Sequence, residues 1–467
     1  MKRIPVRRWP HAVAAVLSCF MLAACASAPA PAPDGSIAFV GRYFDGLDRV
    51  VDDGVVVVHG NRIHCAGSRS ACAFDNAARV IHVKDGLIMP GLIDLHVHAR
   101  AHYLPMFVPA GVTTIRDANN RLATIAQLQS LPGRPRIVFA GPMLDGPGSV
   151  IRRMSDTAGT PGEHPWGEIM PLIVETPAQA RAAVAGLAER DVDVIKLYEQ
   201  LPKAAFAAAV EAAHDRGIPV MADLGIAGTR GLTKAKVDAI EAARMGVDSI
   251  EHLSGFALAY QRLGGDPGDE TLDPALVDKL VEQFAATRTA VVPTLTNTVH
   301  FSLSQPPDLS GIPLADTGEA LMGGWWQQLF ASVQTAARKK RHQVDLRFAR
   351  ALLPRLLARG VIIGAGTDTP AAPFTVPGAG VHQELAYLVD FGLSPMQALR
   401  AATGHAARIL QRDDLGVIRA GARADIVVAA GDPTRNVTDT RRLQWVMVDG
   451  ELHEAEALWQ QLREPER

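Results

Sequence analysis

Six side chains in this sequence have types and positions suited to metal chemistry: His96, His98, Lys196, Asp223, His252 and Asp368. Each stands at or near the end of a short apolar run. "GLIDLHVH" carries His96 and His98, "VDVIKLY" carries Lys196, "GIPVMAD" ends in Asp223, "GVDSIEH" in His252 and "GVIIGAGTD" in Asp368. Side chains alternate along a strand, so His96 and His98 share one face and Leu95 and Val97 the other. Two imidazoles on one strand can bind one ion, although such a pair alone is a weak signal. The weight comes from repetition at five strand tips. A bound dication lowers the pKa of its water to about 7 and polarises a carbonyl. A carboxylate beside that water can take its proton and hand it to a leaving amine. Asp368 has the position for this, with Gly364 and Gly366 leaving room on its own face. A lysine near two dications is pushed toward the neutral amine, which can add carbon dioxide and become an anionic bridging ligand. Lys196 is the candidate, the other reading being an ordinary lysine beside a single metal.

The elements that must position these groups recur along the chain. Apolar strands are expected at 91–98, 111–117, 136–141, 192–198, 217–223, 246–252, 290–295 and 360–368. Ala/Leu/Arg-rich helical stretches such as "PKAAFAAAVEAAHDRG" lie between them. Eight alternating units predict an α/β fold, a closed (β/α)8 TIM barrel with its site at the strand C-terminal ends. Residues 37–88 and the tail read as short strands and turns, with a terminal helix near 453–463. Two long connections, 142–172 and 296–350, are candidate lids. Trp325 and Trp326 in the second either line a pocket or pack the loop. Asp94 lies below His96 and reads as a group that orients it. Tyr198 shares the Lys196 face, as a substrate contact or as packing. His214, His382 and His405 read as structural.

The 467 residues fit one large domain with accessories. The net charge of -2 and the lack of a basic block in the body exclude a nucleic-acid partner. The N-terminus differs. "MKRIPVRRWP" is cationic, and the apolar run from Ala12 to Ala24 is too short to span a bilayer and right for a signal segment. It ends in "LAAC", which resembles a bacterial lipobox. That resemblance implies cleavage after residue 24, lipid on Cys25 and an Ala/Pro tether over 25–36. It further implies a lipid anchor on the periplasmic side of the outer membrane, because Ala26 rather than aspartate follows the cysteine. A plain secretory signal with an incidental cysteine is the other reading. In an oxidising periplasm the nearby Cys65 and Cys72 can close a small loop, against two inert thiols.

Taken together, "GLIMPGLIDLHVHA", "AGVTTIRDA", "VIKLY", "GVDSIEHL", "GTDTP", "LSPMQALRAATGHAARIL" and "LGVIRAGARADIVV" resemble the amidohydrolase superfamily of metal-dependent hydrolases. The resemblance covers roughly residues 37–451 and is nearest the imidazolonepropionase-like and prolidase-like branch. It implies a barrel over 89–407 and a small β-sandwich built from both chain ends, 37–88 and 408–467. It also implies that His96 and His98 bind a first metal, that Lys196 is carboxylated and bridges, and that His252 binds a second metal. Asp368 would bind metal and shuttle the proton. Asp223 departs from the pattern, which has histidine there. One or two divalent ions are expected, zinc first, with Asp223 tilting the second position toward manganese or another harder ion. The expected reaction is hydrolysis of a C–N bond, an amide of a dipeptide or N-acyl amino acid. Lactone or cyclic-amide hydrolysis stays open. A rival of another class is a non-catalytic ligand-binding barrel with a degenerate metal site. Arg230 and Arg116 are candidates to hold a substrate carboxylate. The partners expected are a small-molecule substrate and the membrane through the lipid; homo-oligomerisation is left open.

Overall fold

The computed structural model describes residues 35–74, 78–152, 171–225 and 235–463. The signal segment, Cys25, most of the tether and Arg230 lie outside the described residues. In chain order the strands are β1 (Ile37–Phe44), β2 (Val50–His59), β3 (Arg62–Ser68), β4 (Arg79–Pro90), β5 (Leu92–Val97), β6 (Val112–Asp117), β7 (Arg136–Phe139) and β8 (Leu144–Asp145). They continue as β9 (Leu172–Ile173), β10 (Ile195–Tyr198), β11 (Val220–Asp223), β12 (Ser249–Glu251), β13 (Ala290–Val292), β14 (Ile426–Ala430), β15 (Leu443–Val448) and β16 (Glu451–Glu454).

Both ends of the chain enter one seven-stranded sheet, in the order β16-β15-β14-β4-β1-β2-β3. The run Val55–Val58 shows why. Its β-branched residues favour extended backbone. Val56 and Val58 pack with Phe39, Ile88 and Ile426 on one face, while Val55 and Val57 meet Ala38, Val40 and Cys72 on the other. A strand buried on both faces reads as a continuous apolar run rather than an alternation. Ile63 and the 421–422 turn exchange backbone bonds of 2.8 Å, so the sheet curls back on itself. Strands from both chain ends, β1–β4 and β14–β16, therefore meet in this one sheet. Cys65 and Cys72 are joined by a disulfide, their Cα atoms 5.7 Å apart.

The rest of the chain is mixed α/β with parallel strands. β5-β6-β7 form a three-stranded sheet, and β13-β12-β11-β10-β8-β9 form a six-stranded one. Two differences from eight equal strands stand out. Strand β8 and the first residue of β9 fall within the connection 142–172 expected to be a loop. The strand expected at 360–368 makes an isolated bridge from Ile363 to Val291, and Thr369 just after it bridges to Val97. It is nonetheless bonded on both sides: Gly364 N to Val291 O and Leu95 N to Ala365 O at 2.9 Å, and Asp368 N to His96 O at 2.8 Å. Its glycines permit this close approach. A Cβ on Gly364 would lie 2.4 Å from Leu95 Cδ1, and one on Gly366 2.7 Å from Val292 Cγ1.

The helices follow local signals. Lys203–His214 is alanine-rich, the strongest helix former, and buries Phe206, Ala209, Val210 and Ala213. The connection 296–350, expected as a lid loop, is mostly helical. It contains most of Leu295–Ser302, all of Ala315–Val333 and the start of Ala336–Ala358. Trp326 is buried against Phe374, ring centroids 5.9 Å apart, and half-buried Trp325 donates Nε1–H to Pro370 O at 3.5 Å. That helix therefore lies over the turn that follows Asp368. No helix among the described residues is long and apolar enough to cross a membrane.

Candidate metal centre

The strand tips bring all six groups into one connected cluster, and all six are buried. His96 and Lys196 are at most 1% exposed, and His98, Asp223, His252 and Asp368 at most 7%. His98 Nε2 lies 3.2 Å and His96 Nε2 3.6 Å from Asp368 Oδ1. His252 Nε2 lies 3.7 Å from Asp223 Oδ2, and its Nδ1 3.9 Å from Asp368 Oδ2. Lys196 Nζ is 3.4 Å from His96 Nε2. The rings of His96 and His252 are 4.5 Å apart, centroid to centroid.

Backbone geometry does part of this work. His252, Thr294 and Asp368 have φ of 61°, 47° and 58°, the left-handed region that L-residues adopt at a cost of about 1–3 kcal/mol each. At His252 this reversal breaks the strand alternation. Glu251 and His252, adjacent in sequence, both face His96. Sequence reasoning missed Glu251 for that reason: alternation sends one of two neighbours away. The available signal was an acid directly before His252.

Glu251 is the hub of a buried network. His96 Nδ1 donates to Glu251 Oε2 at 2.7 Å, which turns Nε2 and its lone pair toward the cluster. Arg116 NH2 donates to both Glu251 oxygens at 2.8 and 2.9 Å, and Arg116 NH1 to Ser249 Oγ at 3.1 Å. Arg116 Nε donates to Leu95 O at 2.6 Å. Arg116 is thus a buried counter-ion of Glu251, which corrects its expected role as a substrate clamp. Asp94 meets His96 through the backbone. It accepts from the backbone N–H of His96 at 3.2 Å, not from the ring, and from Thr367 N and Oγ1 at 2.9 and 2.6 Å. It ties β5 to the 362–369 segment, and burial pushes its carboxyl up to about 7.

The electrostatics are those of a buried, charged cluster. Burial pulls the Lys196 ammonium below its ordinary range, opposed by Asp223, Asp368 and Glu251. Burial and Lys196 hold His96 well below the usual imidazole value. For Asp368, burial acts upward, but His252, His98 and Lys196 outweigh it and the carboxyl lies below its usual value. Asn297, not anticipated from sequence, donates Nδ2–H to Asp368 Oδ2 at 2.6 Å. Tyr198 is buried with its ring centroid 5.8 Å from Lys196 Nζ. The three histidines read as structural have partners elsewhere: His214 with Asp248, His405 with Ile363 O, and His382 with Thr440 and Ala110 O.

The donor set fits a divalent ion. Metal–ligand bonds of about 2.0–2.2 Å place neighbouring ligand atoms roughly 3–3.5 Å apart. One ligand atom each from His96, His252 and Asp368 lie within 4.8 Å of one another, and the closer pairs above approach the ideal spacing. A cavity beside His252 is lined by Gly225, Leu253, Asp345 and Phe348, so the Ala336–Ala358 helix reaches the site.

Known proteins are similar to this chain at three levels. An adenine deaminase of Rhizobium johnstonii is 23% identical over 87% of this chain and 55% of its own length, so the chain spans about half of that relative. An imidazolonepropionase of Cutibacterium acnes is 42% identical over 78 residues, 16% of this chain and 19% of that protein. The solved structure of a Xaa-Pro dipeptidase with bound methionine superposes with a TM-score of 0.64 at 21% identity, covering 90% of this chain and all of that one. This last likeness is one of fold. The amidohydrolase family pattern matches residues 87–453, and with that extent of match the chain belongs to the amidohydrolase family.

Proposed function

We propose that the protein is a metal-dependent hydrolase of a C–N bond, taking an amide of a dipeptide or N-acyl amino acid. The observation that carries this reading is the convergence of His96, His98 and Asp368 on one side, and of His252 and Asp223 on the other. In this reading the two parallel sheets and residues 362–369 are arcs of one (β/α)8 barrel, supported by the bonds that the segment makes to β13 and β5. His96, His98 and Asp368 would hold one divalent ion, Asp223 and His252 would hold a second, and carboxylation of Lys196 would add an anionic ligand. A divalent ion supplies Lewis acidity and a lowered water pKa. The chain supplies the rest. Glu251 fixes the His96 ring, Asn297 orients Asp368, and Asp368 takes a proton from the attacking water at Oδ1 or Oδ2 and gives it to the leaving amine.

A second reading, hydrolysis of a cyclic amide, draws on the imidazolonepropionase relative. Zinc- and manganese-reconstituted protein should be screened against dipeptides, N-acyl amino acids, cyclic amides and lactones. Turnover of the first two classes supports the main reading. Activity confined to the others replaces it. Protein that holds no metal and turns over nothing would favour the non-catalytic binder.

Asp223→Ala is expected to lower bound metal from two ions to one, and Asp223→His to keep two with a stronger zinc preference. Metal analysis after saturating reconstitution decides this. An unchanged metal content and activity in Asp223→Ala removes Asp223 from the ligand set.

We also propose attachment to the periplasmic face of the outer membrane through lipid on Cys25. Cys25→Ser should then move the protein from the membrane to the soluble fraction. Mass spectrometry of the wild type without an attached lipid would reject the anchor.

A further inference from the structure

We propose that Glu384 is a positioning residue that sets the geometry of both halves of the candidate metal centre from outside it. This rests on the metal-hydrolase reading. The starting point is an exchange of caps. Helix Leu295–Ser302 begins after Thr294, where a threonine hydroxyl would ordinarily accept from the first free amides of the helix. Thr294 makes no such bond. Its Oγ1 instead pairs with His252 Nδ1 at 2.6 Å. The orphaned amides are taken by a carboxylate from another helix, Gly380–Asp390. Leu295 N donates to Glu384 Oε1 at 2.9 Å, and Thr296 N and Oγ1 donate to Glu384 Oε2 at 2.7 and 2.8 Å.

Everything in this arrangement is buried: Glu384, Thr294, Leu295 and Thr296 are 0% exposed and Asn297 is 5%. Burial pushes the Glu384 carboxyl up to about 7, while the bonds from Thr296 and Leu295 and the helix dipole favour its charged form. The consequence is local and specific. Glu384 grips residues 295 and 296, and the residues on either side each touch the site. Thr294 holds the His252 ring, and Asn297 donates to Asp368 at 2.6 Å. One carboxylate thus orients two candidate ligands from different strands without contacting either. A carboxylate fits this place better than an amide, because all three groups facing it are donors.

The test uses cobalt(II) as the probe, with affinity and visible spectrum measured on protein shown to be folded by circular dichroism. Glu384→Gln presents an NH2 group to a donor and should weaken cobalt binding by about tenfold or more, with an altered ligand-field spectrum. Asn297→Ala should cost less in the Glu384→Gln background than in the wild type, because its aim depends on Glu384. A merely structural Glu384 would lower the melting temperature and leave the cobalt affinity and spectrum of the folded protein unchanged. That result overturns the role. If Glu384→Gln does not fold, Thr296→Val, which removes one of the three bonds, carries the test: a smaller shift in the same direction supports the role and wild-type binding overturns it. Wild-type protein that takes up no cobalt would overturn the metal reading and this role with it; wild-type uptake with unchanged binding in the variants overturns this role alone.

Discussion

Asp368→Asn is expected to lower kcat by at least ~10²-fold, the lower end of what a general acid–base group contributes. The substitution keeps the shape of the side chain and removes its charge and its capacity to hold a proton. Three imidazoles face that charge, His98 at 3.2 Å, His96 at 3.6 Å and His252 at 3.9 Å. Asn297 is already aimed at one oxygen, so the new amide can still be satisfied after a flip. The left-handed φ of 58° at this position is tolerated by asparagine as well as by aspartate, so the fold should survive. The measurement is kcat on the best substrate from the library screen, with metal content determined on the same sample. Loss of turnover with metal retained isolates the proton-transfer role. Loss of both shows that Asp368 acts first as a ligand. Near-normal kcat removes it from the mechanism.

Glu251→Ala is expected to destabilise the protein by about 3–5 kcal/mol, the range for breaking a buried ion pair on one side. Arg116 is 2% exposed and Glu251 0%, so solvent cannot replace the missing charge. The same change removes the acceptor of His96 Nδ1 and the partner of Ser249 Oγ. Loss of a group that orients a metal-binding histidine commonly costs 10–100-fold in metal affinity. Two readouts therefore move together, the denaturation midpoint and the dissociation constant for zinc. Glu251→Gln, which keeps an acceptor for one of these donors, should lie between wild type and Glu251→Ala in both. A stability loss below about 1 kcal/mol would show that Arg116 finds other compensation and that the network does not depend on this pair.

The sequence alone determined the groups at the strand tips. An apolar run needs no long-range information to be read as a strand, and period two says which residues share its face. His96, His98, Lys196, Asp223, His252 and Asp368 were all legible in this way, and so was the parallel α/β character. Tertiary structure alone decided what holds them. Glu251 reaches His96 across 155 residues of sequence, and Glu384 reaches Thr296 across 88. No local pattern encodes such pairs, since each is made by where two elements pack. The left-handed residue at His252 also reverses the face that alternation assigns, which hid Glu251 and made Arg116 look available to substrate. The helical connection over 296–350 was illegible for a related reason. Two of its helices pack on residues far along the chain, Trp326 on Phe374 and the start of Leu295–Ser302 on Glu384, so the chain that carries Asn297 looked like a loop until its partners were in place.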